Sequence, residues 1–212
     1  MGTLTDLTVS AFDAEVASAS PAPGGGSAAA LAGSIGAALV AMVCRLSLGK
    51  GDVLATDEEL SRALEESERL GCRLLELVDE DTAAFSAIMD AVRMPKADDA
   101  QRSARAAALA EAKLGAALPP LEALSAARQT LTLAASLAGR SNANTASDLG
   151  VAVQLGRAAA EGALLNVAIN LSTLPPGDDV DRYRRESQVE IDAARVSSAA
   201  ATATIASVLG LQ

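Results

Sequence analysis

Apolar residues recur along most of this chain at three- and four-residue intervals, the period of a helix that buries one face. The clearest case opens at Thr56-x-x-Glu59, a capping box. From there Leu60, Leu64, Ser67, Leu70 or Gly71, Leu74, Val78, Phe85, Ile88 and Val92 make one stripe, which predicts a helix from about Asp57 to Val92. At 1.5 Å per residue it is on the order of 50 Å long. Before it, PAPGGGSAAALAGSIGAALVAMVCRLSLGK (Pro21 to Lys50) predicts a helix of small residues that starts near Ser27 and stops at Gly49. Ala30, Ser34, Ala37 or Ala38, and Ala41 leave one of its faces with almost no bulk, so another helix or a flat ligand can approach the backbone. A short helix over Val9 to Ala17, capped by Thr8 or Ser10, comes first. After Pro95 the pattern predicts helices over Asp98 to Leu118, from the Pro119-Pro120 break to near Gly139, up to Leu171, and from Val180 to Leu209. Alternating β-branched runs are scarce. The fold class is all-α, with at least six helices and one domain, 1–212.

Three stretches depart from the plain core pattern. Gly24, Gly25 and Gly26 strip the side chains from one piece of backbone, so its N–H groups can converge on a ligand at the positive end of the helix that follows. The bland alternative is a tight turn into a close-packed helix. Gly24-x-Gly26-x-x-Ala29 fits a dinucleotide fingerprint formally, but no β run precedes it. Gly49-Lys50 is no Walker loop, since Cys44 and Gly51 stand where glycine and Ser or Thr belong. The second departure is Asp81, which fills the gap in the long stripe between Val78 and Phe85. A carboxylate on an inward face has its proton affinity raised by desolvation, which suits proton transfer. Spacing alone leaves open whether Asp81 faces inward or sits wet at the stripe's edge; Glu76, Asp79 and Glu80 read as solvated neighbours. The third is RSNANTASD, Arg140 to Asp148, and the helix after it. Asp148, Asn166 and Asn170 share a side with Ala152, Leu155, Ala159 and Gly162, where buried amides need partners that a polar heterocycle or another helix can supply. Asn142, Asn144 and Ser147 also suit a turn and a cap.

Composition narrows the chemistry. The formal charge of −10, with two Phe, one Tyr and no Trp, argues against nucleic acid and anionic membranes as partners. With no histidine, any acid–base step must use Asp, Glu, Lys, Cys, Tyr or the substrate itself. Cys44 and Cys72 give neither a zinc spacing nor a disulfide framework and read as buried reduced thiols. The apolar span from Ser27 to Cys44 is too rich in alanine and glycine for a membrane helix. Acidic residues precede it where a signal peptide would be basic, so the expected location is cytoplasmic.

Three stretches together resemble the cyclodeaminase/cyclohydrolase family of folate enzymes: the Pro21 to Lys50 segment, DEDTAAFSAIMDAVRMPK from Asp79 to Lys96, and SNANTASDLGVAVQLGRAAAEGALLNVAINL from Ser141 to Leu171. They come in the family's order and the similarity covers essentially the whole chain. The resemblance implies an up-and-down type helical bundle with long helices, a homodimer formed through small-residue helix faces, and no metal or cofactor beyond the tetrahydrofolate-derived substrate. It implies that Asp81, in an Asp-x-x-Ala-Phe pattern, is the catalytic acid–base group. It also implies that Gly24, Gly25, Gly26, Ser27, Lys50, Asn142, Asn144, Ser147, Asp148 and Asn166 shape the folate site. Lys50, Lys113 and Arg140 are candidate cations for the glutamate tail. The implied activity is hydrolysis of 5,10-methenyltetrahydrofolate to 10-formyltetrahydrofolate, or formation of the methenyl compound from 5-formiminotetrahydrofolate with release of ammonia. The competing class is a non-catalytic folate-binding or scaffold protein with the same fold.

Overall fold

The structure, a computed structural model, describes residues 3–211, and seven α-helices carry most of them. They are α1 (Val9–Val16), α2 (Gly25–Ser47), α3 (Asp57–Arg93), α4 (Asp99–Gly115), α5 (Leu118–Leu137), α6 (Ala146–Leu171) and α7 (Asp178–Leu209), with 3-10 turns at Leu4–Asp6 and Ala143–Thr145. No strand occurs among the described residues. Cross-helix pairings fix the topology. Ser27 meets Asp81 while Ser34 meets Gly71, so α3 runs antiparallel to α2. Glu122 meets Arg73 and Arg140 meets Glu59, which turns α5 back along α3. Ala116 meets Asn170 and Gly156 meets Leu131, so α6 is antiparallel to α5. Arg195 on α7 meets Glu161 on α6, and Gly150 meets Ile205, completing an up-and-down bundle.

Local chemistry explains the ends. Thr56 and Glu59 close the capping box that opens α3. Gly49, at φ 71°, takes the left-handed conformation that stops the α2 segment, as its sequence position predicts. Pro119 and Pro120 begin α5 instead of separating it from α4, because first-turn residues need no N–H partner; α4 accordingly ends at Gly115, short of the expected Leu118.

Small residues in α2 serve packing inside the subunit. A Cβ added to Gly33 would lie 3.2 Å from both Ala159 and Leu74, and one added to Gly36 would lie 3.2 Å from the Ala152 carbonyl. Backbone on backbone is the only contact that fits at Gly36. By length and composition α2 could cross a membrane, yet 61% of its most apolar window is buried against the other helices. The core runs through Val40, Leu70, Leu74, Leu124, Leu131 and Leu149. Cys44 lies in it, and burial pushes its thiol up to about 11. Cys72, expected to be buried, is exposed, because it falls one residue past the inward stripe position of α3.

The long helix α3 outruns the bundle. Its buried residues stop at Val78 apart from Ala91, so the last stretch leaves the core. From Asp81 to Arg93 that overhang is roughly 18 Å at helical rise. Helix α4, which has no buried residue, folds back along it, with Arg105 Nε donating to the Val92 carbonyl at 3.0 Å. A hollow remains where this overhang meets the start of α2 and the end of α6.

Candidate active site

The hollow is a cavity of about 280 Å³ walled by the Pro21–Gly26 loop, Asp81, Phe85 and Ile88 of α3, Ala116, and Asn166 and Asn170 of α6. Its polar centre is the carboxylate of Asp81. The backbone N–H of Ser27 donates to Asp81 Oδ2 at 2.9 Å, and the Ser27 hydroxyl lies 3.1 Å from the same oxygen and 2.9 Å from the Val78 carbonyl. Gly24, at the N-cap of α2, offers no side-chain cap. Asp81 therefore caps α2 from a neighbouring helix, taking a first-turn N–H that has no partner within α2, at the positive end of its dipole. Burial raises the Asp81 proton affinity above the ordinary carboxylate value, and the two Ser27 hydrogen bonds pull against that rise.

This approach requires glycine at position 26. A Cβ there would fall on the Asp81 carboxylate itself, and that side chain could make room only by giving up its hydrogen bonds to Ser27. Gly25 faces Asn166, with room for little more than a Cβ before Nδ2 at 3.6 Å. Asn166 Nδ2 donates to Gly162 O, and its carbonyl oxygen has no partner among the described residues. Asn170 Nδ2 donates to Ala116 O. The site thus offers one partly desolvated carboxylate, backbone at the start of a helix, an amide oxygen, and apolar walls on both sides. Among the described residues no three His, Cys, Asp or Glu side chains converge as metal ligands.

Of the residues singled out in the sequence, Asp81, Gly24, Gly25, Gly26 and Asn166 line this cavity and Ser27 supports it. Lys50, Asn142, Asn144, Ser147 and Asp148 lie at the other end of the subunit. Asn142 N–H donates to Ser47 Oγ and its amide donates to Leu46 O, holding the last turn of α2, while its Oδ1 accepts the Asn144 N–H. With 23 residues in α2, the two ends stand roughly 33 Å apart. Asp79 is no solvated neighbour: it accepts the Leu4 N–H at 2.6 Å and the Thr5 hydroxyl, tying the N-terminal turn to α3.

Phe85 and Ile88, which the sequence groups with a core stripe, are half-buried cavity walls because no helix covers them. Pro21, Ala22, Ala116 and Ile169 also line the cavity and carry no sequence signal of a site; Asn170 carried one, as an amide on the small-residue side of its helix.

Residues 8–189 match the family described as formiminotransferase-cyclodeaminase. The chain is 41% identical over 167 residues to a methenyltetrahydrofolate cyclohydrolase of Methylorubrum extorquens, covering 79% of this chain and 80% of that protein. It is 33% identical over 186 residues to the formimidoyltransferase-cyclodeaminase of Mus musculus, covering 88% of this chain but only 34% of that longer protein. A crystal structure of formiminotetrahydrofolate cyclodeaminase from Thermotoga maritima superposes with a TM-score of 0.80 over 98% of both chains; at 24% identity that likeness speaks for the fold alone.

Proposed function

Because the chain belongs to the formiminotransferase-cyclodeaminase family, we propose that it is a folate one-carbon enzyme, hydrolysing 5,10-methenyltetrahydrofolate to 10-formyltetrahydrofolate in the Asp81 cavity. The observation that carries this reading is the Asp81 carboxylate, partly desolvated and held by Ser27 against a wall of glycine backbone. The 41% identical relative bearing the cyclohydrolase name, matched over 80% of its length, supports the choice of reaction.

In the proposed step the pterin lies between the glycine loop and the Phe85 and Ile88 walls. Asp81 accepts a proton from water as the water oxygen bonds to the cationic methenyl carbon. The new carbon bears a hydroxyl and remains attached to N5 and N10. Asp81 then returns its proton to N5 as the C–N5 bond breaks, and the hydroxyl proton leaves to solvent as the formyl C=O forms on N10. One water is consumed and one proton released. An anionic carboxylate beside the delocalised cation also stabilises the charged reactant and the states near it.

The name of the 33% identical relative from Mus musculus supports a second reaction, which we place on the same carboxylate. There N10 attacks the protonated formimino carbon on N5, Asp81 moves the N10 proton to the departing nitrogen, and ammonia leaves the methenyl cation behind. A pair of assays separates the two readings: purified protein is given each folate alone, and formation of the 10-formyl product or release of ammonia is followed. Asp81→Asn should lower turnover by about 10²–10⁴-fold, the contribution of a positioned proton-transfer group, with folate binding by calorimetry nearly unchanged. Asp90→Asn, an exposed change on the same helix, should have no effect. Turnover in neither assay, with folate still bound, would leave the non-catalytic folate-binding class.

The reading includes a homodimer in the cytoplasm. The dimer is supported by large apolar residues that the packed helices α2 and α6 leave exposed, with Ile35 at 47%, Val151 at 51%, Leu165 at 70% and Ile169 at 65% exposure. A two-fold axis crossing that surface at right angles to α2 sets the far end of one subunit beside the cavity of the other. That is the arrangement in which Lys50, Asn142, Asn144, Ser147 and Asp148 take part in the folate site.

A further inference from the structure

A folate carries, beyond its pterin, a glutamate tail with carboxylates, and among the described residues of one subunit the cavity walls hold no cation to meet them. The protein as a whole bears a formal charge of −10, so an anionic tail is repelled unless a local cation receives it. Of the three candidate cations, Lys50 follows the far end of α2 and meets a cavity only across the proposed dimer, and Arg140, at the far end of α5, already gives its guanidinium to both carboxylate oxygens of Glu59.

Lys113 is placed differently. It stands in the last turn of α4, one helical turn before Ala116, whose carbonyl accepts the Asn170 amide in the cavity wall. Its Nζ donates to the hydroxyl of Thr173, three residues beyond Asn170. Thr173 carries no charge, and among the described residues no carboxylate ion-pairs with Lys113. The side chain is thus partly buried along its length, its exposed ammonium is oriented by a neutral partner, and it stands one helical turn from the cavity-wall residues Ala116 and Asn170. Arg105, the other α4 cation without a carboxylate partner, points its Nε at the Val92 carbonyl, beyond Ile88 along α3. The groove past Lys113, near Leu114 and Leu174, is bordered by Glu111, Asp178 and Asp179, which turn an anion away.

We propose that Lys113, held by the Thr173 hydroxyl, receives the tail carboxylates of a folate whose pterin lies in the Asp81 cavity. The assignment rests on the folate reading above. It makes Lys113 a binding residue that acts on affinity and not on the proton transfer.

The test compares KM and kcat for Lys113→Ala and Lys113→Arg on methenyltetrahydrofolate and on the same compound without its glutamate. Lys113→Ala should raise KM for the tailed substrate about tenfold, the size of one charge-assisted hydrogen bond, with kcat unchanged. It should leave the tail-less substrate unaffected, and Lys113→Arg should recover most of the loss. Arg62→Ala, an exposed charge change near the start of α3, should alter neither substrate. In the parent protein, added salt should weaken binding of the tailed compound more than of the tail-less one, a readout that needs no variant. An unmoved KM in Lys113→Ala, or an equal rise on both substrates, overturns the subsite while the activity stands. A parent that processes and binds neither folate removes the function, and the subsite with it.

Discussion

Ser27 tunes Asp81, and the direction of that tuning can be measured. Burial lifts the carboxylate's proton affinity, while the Ser27 hydroxyl and N–H lower it. In Ser27→Ala the N–H bond survives and the hydroxyl bond is lost, so the pKa rises further. If the ionised carboxylate is the base, the acid limb of the pH–rate profile for kcat/KM moves to higher pH in Ser27→Ala. A limb that stays in place would mean that another group limits the rate at low pH. The same burial acts on stability. A folded-state pKa above the ordinary aspartate value of 3.8 means that the native protein holds this proton to higher pH than the unfolded chain. The native state then binds more protons, so this group's contribution falls as pH rises from about the ordinary value through the raised one. Asp81→Asn removes that loss. Chemical denaturation should show the variant at least as stable as the parent at neutral pH, with a smaller decline above the acid range.

At the scale of elements, identical residue types in neighbouring helices obey opposite rules. Glycine inside a helix ordinarily costs about 0.5–1 kcal/mol relative to alanine. Gly71, in the middle of α3, follows that rule: an added Cβ would sit 3.6 Å from Ala37, ordinary contact, so Gly71→Ala should stabilise by about that amount. Gly36 reverses it, because the added atom meets the Ala152 carbonyl at 3.2 Å and the Gly156 nitrogen at 3.4 Å. Neither backbone atom can move aside without separating α2 from α6. Gly36→Val should therefore destabilise by about 1–3 kcal/mol, the usual cost of overpacking. Urea melts of the two variants check both signs. Separation of α2 from α6 would also displace Asn166 from Gly25, so the same change should reduce folate binding.

For the whole molecule, the exposed apolar residues on α2 and α6 give the proposed dimer a specific test. Sedimentation at micromolar concentration should show two subunits in the parent, and Leu165→Glu should yield monomers with unchanged helical circular dichroism. A parent that remains monomeric would leave these apolar residues without their proposed partner. It would also strand the polar residues near Asn142 and Asp148 about 33 Å from the cavity. Ile169 belongs both to these exposed residues and to the cavity wall, so loss of the dimer should lower activity as well.

The sequence by itself determined the helices, most of their ends, and the carboxylate that lines the candidate cavity. Helical period, the Thr56–Glu59 box and the Gly49 stop are local, and local chemistry is legible in the chain. Asp81 was legible because it interrupts a periodic apolar stripe. What only the tertiary structure decided is which polar residues share a place. Asn142 and Asn166 look alike in sequence, each among small residues, yet one secures the last turn of α2 and the other faces the glycine loop. Phe85 and Ile88 continue the stripe of Leu74 and Val78, but α3 outruns the helices that would cover them, so the same period yields a cavity wall. Asp79 and Asp81 differ by two residues, and a rotation of about 200° around α3 sends one to the N-terminal turn and the other to the start of α2. Period tells which residues lie on one side of a helix; what stands opposite that side depends on where distant segments end.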